Sequence, residues 1–304
     1  MHRILSILFC AFCTLMASAG ITPESDDARF NGDRCYSFGD YETALKYYQR
    51  AVSLDAKNVR AISRIGMMYK RGLGVKRDYK KALDWYAKGA ATGDASSIFN
   101  VGTFYLAGQG VKRDYEEAMM WFRLASEKGC ADADYQMGCL YFSGTGVKQD
   151  YREAIDWFQK AADRRYLGAL VNIGYMCCNG MGVVKDPVIG VQWYLYAAKY
   201  GSAEAMRNLG YCYNLGEGVD ADPEESLRWY QEAASHGDQP SIAYLRSIGK
   251  YEAPGADYQE VPLVIDENDT DDEAAEEDEF GTFHDEDNAE GEPEHFENLP
   301  ELPE

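Results

Sequence analysis

The chain has 304 residues, 46% of them hydrophobic, and a formal net charge of −21. The charge is not spread evenly: residues 252 to 304 hold 22 Asp or Glu and no Lys or Arg, leaving 29 acidic against 30 basic residues in 1 to 251. A segment of that sign repels nucleic acid and anionic membrane and attracts basic proteins or divalent cations, so neither nucleic acid nor a lipid surface is the expected partner.

Residues 1–19 read as an export signal. His2 and Arg3 form a basic start, Ile4 to Met16 an apolar stretch of 13, and Ala17-Ser18-Ala19 a small-residue cleavage site. Thirteen residues fall short of the roughly 20 a membrane helix needs. The reading predicts a mature chain starting near Gly20, with no membrane span, periplasmic or secreted in a bacterium and in the secretory pathway or endoplasmic reticulum lumen of a eukaryote.

Residues 20–60 make an opening unit. Small and apolar residues at Ala28, Gly32, Ala44, Leu45, Tyr48, Ala51 and Leu54 are spaced three and four apart, which predicts two short helices broken at Gly39 and resembles the helix-turn-helix of a tetratricopeptide repeat. A stricter grammar governs residues 61–238. Five times the chain reads Gly-x-Gly-Val-x-x-Asp with a Trp seven residues after the Asp, from Gly72 and Trp85 to Gly216 and Trp229, in copies 36 residues apart. A fixed period of this size predicts a solenoid, each unit one helical hairpin packed only on its neighbours.

Local rules place the helix boundaries inside each unit. The Gly-x-Gly ends a first helix, because glycine takes left-handed backbone angles without penalty, and the Val after it is free to pack back as an apolar plug. The Asp starts a second helix as an N-cap, with Glu117, Glu153 and Glu225 three residues on predicting capping boxes. A ring three residues after each of Gly66, Gly102, Gly138 and Gly210 is expected to pack over that glycine, and the Trp to fill the gap to the next unit. Residues 239–251 predict a closing helix, and 252–304 a disordered acidic tail whose apolar exception is Val261 to Ile265.

These 36-residue units resemble Sel-one-like repeats, relatives of the tetratricopeptide repeat, over residues 61 to 237. The departures are small: Cys177 for the usual Tyr, Gly190 and Ser226 for the small Ala, and Arg165 where the other units have Gly. The resemblance implies an all-α, right-handed α-solenoid acting as a non-enzymatic scaffold or adaptor, with no cofactor. It also implies that first helices line a concave face, with groove positions three before the repeat Gly and one and four after it. That frame gives Ser63, Met67 and Lys70, then Phe99, Thr103 and Leu106, then Tyr135, Cys139 and Phe142. The last units add Val171, Tyr175 and Cys178, then Arg207, Tyr211 and Asn214. A protein or peptide partner is expected on Phe99, Leu106, Tyr135, Phe142, Val171, Tyr175, Tyr211 and Asn214, with Arg207 and Asn214 placed to hold a peptide carboxylate or backbone.

Chemistry is sparse. His236, His284 and His295 are too scattered for a metal site or a Cys-His pair. Ser247 and Lys250 fit the Ser-x-x-Lys spacing of acyl-serine enzymes without the companion motifs, so the alternative of an exported hydrolase acting on cell-wall peptides or β-lactam amides has no constellation behind it. No catalytic or metal-binding residue is expected, and loose cation binding is the expectation for the tail. Six cysteines follow the signal, at 35, 130, 139, 177, 178 and 212. Their scattered repeat positions favour free, buried thiols, with one bridge among Cys139, Cys178 and Cys212 as the rival.

Overall fold

The computed structural model describes residues 23–251 and 299–303; the predicted signal segment, most of the tail and the patch Val261 to Ile265 lie outside the described residues. Thirteen α-helices and no strand occur among them. They are α1 (Pro23–Ser37), α2 (Tyr41–Leu54), α3 (Val59–Arg71), α4 (Tyr79–Ala90), α5 (Ala95–Ala107), α6 (Tyr115–Glu127) and α7 (Ala131–Ser143). The chain continues with α8 (Tyr151–Asp163), α9 (Leu167–Asn179), α10 (Pro187–Lys199), α11 (Ala203–Leu215), α12 (Pro223–Ser235) and α13 (Gln239–Ser247). Each helix packs on the next, most extensively within the six hairpins α1·α2 to α11·α12. This is an α-solenoid closed by the short α13.

The predicted caps are present. Asp78, Asp114, Asp150, Asp186 and Asp222 each cap a second helix, their carboxylates accepting from backbone amides of its first turn. Their own amides donate back to the carbonyls of Tyr69, Tyr105, Tyr141, Cys177 and Tyr213 at 2.8–3.0 Å, tying the second helix to the first. Gly144, at φ +74°, ends α7 and donates to Leu140. The Val plugs Val75, Val111, Val147, Val183 and Val219 all pack against the core. The return leg of the predicted capping boxes is not made at Glu117, Glu153 or Glu225, because the Asp amides already donate to those carbonyls; Glu117 Oε1 instead accepts from Trp121 Nε1–H at 3.0 Å and Glu225 Oε2 from Arg228 at 3.1 Å.

One expectation about packing is corrected. The ring seated on each repeat glycine comes from the second helix, one residue after the Trp: Tyr86 on Gly66, Phe122 on Gly102, Phe158 on Gly138, Tyr194 on Gly174 and Tyr230 on Gly210. Most of the tryptophans are half-buried, and Trp193 alone among the five is fully buried, whereas Phe122 and Phe158 are sealed off. The two helices can approach closely only where one presents no Cβ, so the flat ring directly opposite the glycine becomes the core of the hairpin. The second glycine of the motif makes a different contact: a Cβ on Gly182 would meet the backbone of Tyr151 and Arg152, where the preceding unit's second helix begins. It locks one hairpin to the next.

Candidate protein-binding face

Four of the groove positions predicted from the repeat frame are core, Cys178 among them. Phe99, Leu106 and Val171 are buried, and the Phe99 ring centroid lies 5.5 Å from that of Phe122. Tyr135 is half-buried and structural in its contacts: its ring stacks on Tyr166 at 4.4 Å, leans on Phe158 at 5.6 Å, and its hydroxyl accepts from Asn172 Nδ2 at 3.3 Å. Burial pushes the Tyr135 phenol well above its ordinary pKa. Arg207 is already engaged, its guanidinium donating to Asp238 at 2.7 Å and to Glu204 at 3.2 Å. Asp238 is the N-cap of α13, so the expected carboxylate ligand instead holds the closing helix in place.

What remains open is a shorter strip. Tyr175 on α9 is 44% exposed, Tyr211 on α11 is 52% exposed, and Asn214 is exposed beside it. The half-buried Phe142 of α7 meets Tyr175 edge-on, 6.4 Å between ring centroids. Leu215, one turn beyond Tyr211 and 56% exposed, completes the strip, although the repeat frame did not select it. Its signal was the spacing of four from Tyr211, which puts both on one helix face. The strip runs across the first helices of three consecutive units.

Second helices carry two shallow depressions. One, of about 440 Å³, lies among α10, α11 and α12 and is lined by Leu195, Lys199, Met206, Arg228, Trp229 and Glu232. The other, of about 670 Å³, is lined by Met119, Met120, Arg123 and Leu124 of α6 with Gly146 and Val147. Charges of both signs rim the first, and no cluster of three or more potential metal ligands occurs among the described residues. Ser247 donates its hydroxyl to the Tyr244 carbonyl at 2.7 Å. This helix-end bond is not a nucleophile–base arrangement.

The family model for the Sel1 repeat matches residues 27–55, 59–94, 95–130, 131–166, 168–202 and 203–238. The chain belongs to the Sel1 repeat family. Its opening unit, set apart by spacing as tetratricopeptide-like, is matched as a Sel1 repeat too. A Sel1 repeat protein from Oxalobacter formigenes has a similar solved structure, 41% identical, with a TM-score of 0.66 over 72% of this chain and 88% of that one. A protective antigen of uropathogenic Escherichia coli with an SLR fold is 31% identical, with a TM-score of 0.63 over 81% of this chain and 53% of that one. No curated protein matches. Sel1 repeat proteins are typically non-enzymatic protein-interaction scaffolds, which turns attention from pockets to faces.

The six cysteines among the described residues of this Sel1 repeat chain are free thiols, five of them on the helix hairpins of α5 onward or their caps, and four of the six buried. Burial raises the thiol of Cys139 to about 11 and those of Cys130 and Cys177 to about 12. Cys178 on α9 and Cys212 on α11 share a hydrogen bond that lowers the first and raises the second. They are the one pair of the proposed bridge set that the structure brings together. No helix among the described residues is long and apolar enough to cross a membrane.

Proposed function

We propose that this chain is an exported scaffold that binds a protein or peptide along the first-helix, concave face of its solenoid, with Phe142, Tyr175, Tyr211, Asn214 and Leu215 as the receiving strip. The observation that carries the reading is the exposure of Tyr175, Tyr211 and Leu215 on helices whose other apolar residues are buried or half-buried. Contiguous exposed apolar surface of this kind marks interaction sites, and the family's usual role agrees with it.

Export rests on residues 1–19, and the neighbour that is a protective antigen agrees with an exported chain. N-terminal sequencing of the protein recovered from its source tests this: a mature start near Gly20 supports export, and an intact Met1 overturns it. The acidic tail tunes encounter, so association with a basic partner slows steeply between about 50 and 200 mM salt as screening contracts toward a Debye length of about 8 Å.

The face itself is tested with a photo-reactive amino acid placed at Tyr211 and, separately, at Leu195 on a second helix. Partner crosslinks confined to position 211 support the reading. Crosslinks confined to position 195 move the site to the opposite face.

A further inference from the structure

The tail returns to the solenoid. Leu299 and Leu302 are half-buried and pack against the large core cluster built by α8 to α12, whose margin includes Tyr135, Cys139 and Phe142 of α7. Of the five residues Leu299, Pro300, Glu301, Leu302 and Pro303, only Glu301 is exposed. The segment has no helix or strand, and its two prolines each hold φ near −65°, which favours a polyproline II path with three residues per turn. That path sets Leu299 and Leu302 on one side and Pro300 and Pro303 on a second. The third side, which holds Glu301, faces water. The burial pattern is therefore what a seated extended peptide shows, an apolar pair three residues apart with its one charge turned outward.

The connection is long enough to allow it. The 47 residues 252–298 can span at most about 150–170 Å, and a covalent tether presents its end at an effective concentration on the order of millimolar. A contact of modest intrinsic strength is then mostly closed.

We propose that Leu299-Pro300-Glu301-Leu302-Pro303 is a ligand built into the chain, which docks in cis on the solenoid and holds the surface that an extended partner peptide with two leucines three residues apart takes. The proposal deepens the reading of the scaffold as a peptide binder and rests on it for the partner. The docking itself is a property of this chain alone. A partner carrying the same Leu-Pro-x-Leu-Pro chemistry displaces the segment, and one with acidic residues in place of the leucines does not.

The test uses full-length protein and a fluorescein-labelled synthetic peptide of residues 297–304, followed by anisotropy. The chain carrying Leu299→Ser and Leu302→Ser binds the peptide at least about tenfold more tightly than the wild-type chain, because the tethered competitor is gone. A peptide with both leucines replaced by serine binds neither chain. Equal binding to the two proteins, or binding to neither, overturns the proposal. Sedimentation velocity adds a second readout: wild-type protein stays monomeric on dilution, whereas a dimer that disappears in the double serine variant shows exchange between copies and overturns docking in cis. Adding Tyr211→Ala to the double serine variant separates the two readings. Weakened peptide binding places the segment on the first-helix strip, and unchanged binding overturns that strip as the binding face while the docking stands.

Discussion

A Cβ placed on Gly138 would stand 2.6 Å from Cδ1 of Phe158, so the phenyl ring of α8 lies directly against the bare backbone of α7. Gly138→Ala must push that ring or the helix away and costs about 1–3 kcal/mol. Phe158→Ala opens a cavity in the same place and costs about 3–5 kcal/mol. Trp157→Ala costs less than Phe158→Ala, because the indole is half-buried and carries Lys160 Nζ 3.8 Å above its ring on the outside. Urea midpoints of the three variants give the order, and a Trp157 variant as unstable as the Phe158 variant contradicts it.

Arg165 is the one non-glycine residue with positive φ among the described residues, at +68°, where the other units place Gly93, Gly129, Gly201 and Gly237. Left-handed angles cost a residue with a Cβ about 1–2 kcal/mol, partly offset by the greater freedom glycine loses on folding. Arg165→Gly is expected to raise stability by up to about 1 kcal/mol, visible as a higher melting temperature. A lower one means that the contacts of the arginine side chain outweigh the backbone strain.

Tyr135 and Tyr175 occupy neighbouring positions of the groove frame and separate experimentally. Tyr135→Ala removes a ring stacked on Tyr166 and leaning on Phe158 and costs about 3 kcal/mol of stability. Tyr175→Ala, at an exposed ring, shifts stability by less than about 1 kcal/mol and weakens partner binding by about 1–3 kcal/mol as a hot spot. Melting curves and binding isotherms on the two variants check the split. Similar stability losses for both make the strip structural.

Asp134 is fully buried, with one carboxylate oxygen paired to Arg164 and the other without a partner. Burial raises its pKa, against the pull of Ser126 and Arg164. The native state therefore holds this proton more tightly than the unfolded chain, and stability falls as pH rises from the ordinary carboxylate value near 3.8 through the higher folded value. Asp134→Asn flattens that part of the stability–pH curve. Urea titrations across mildly acidic pH test this, and a curve unchanged by the substitution assigns the dependence to other groups.

Cys178 and Cys212, hydrogen-bonded across α9 and α11, are the pair that mild oxidation joins. Non-reducing peptide mapping after diamide treatment is expected to show a 178–212 bridge and no ladder of bridges at one position of every hairpin. A bridge that instead uses Cys139 shows that the first helices slide past one another in solution.

The sequence by itself determined the period, the helix boundaries and the caps, because the hydrogen bonds that set them span only a few residues: the Asp150 carboxylate reaches the amides of Arg152 and Glu153, and Gly144 reaches Leu140. The Val plugs were legible for the same reason. Only the tertiary structure decided which ring sits on each glycine, since Gly138 and Phe158 lie 20 residues apart in sequence and a ring three residues along the same helix points elsewhere. The aromatic residue after every Trp was the available clue. Burial also sorted the groove positions, sending Phe99, Leu106 and Val171 inward while leaving Tyr175 and Tyr211 in water. That outcome depends on how far adjacent hairpins rotate, which no single unit encodes. The same holds for Arg207, whose charge is satisfied by Asp238 at the N-cap of the closing helix, and for Leu299 and Leu302. Their burial needs a surface assembled from helices 66 residues or more earlier in the chain, Ala233 being the nearest core residue of that cluster.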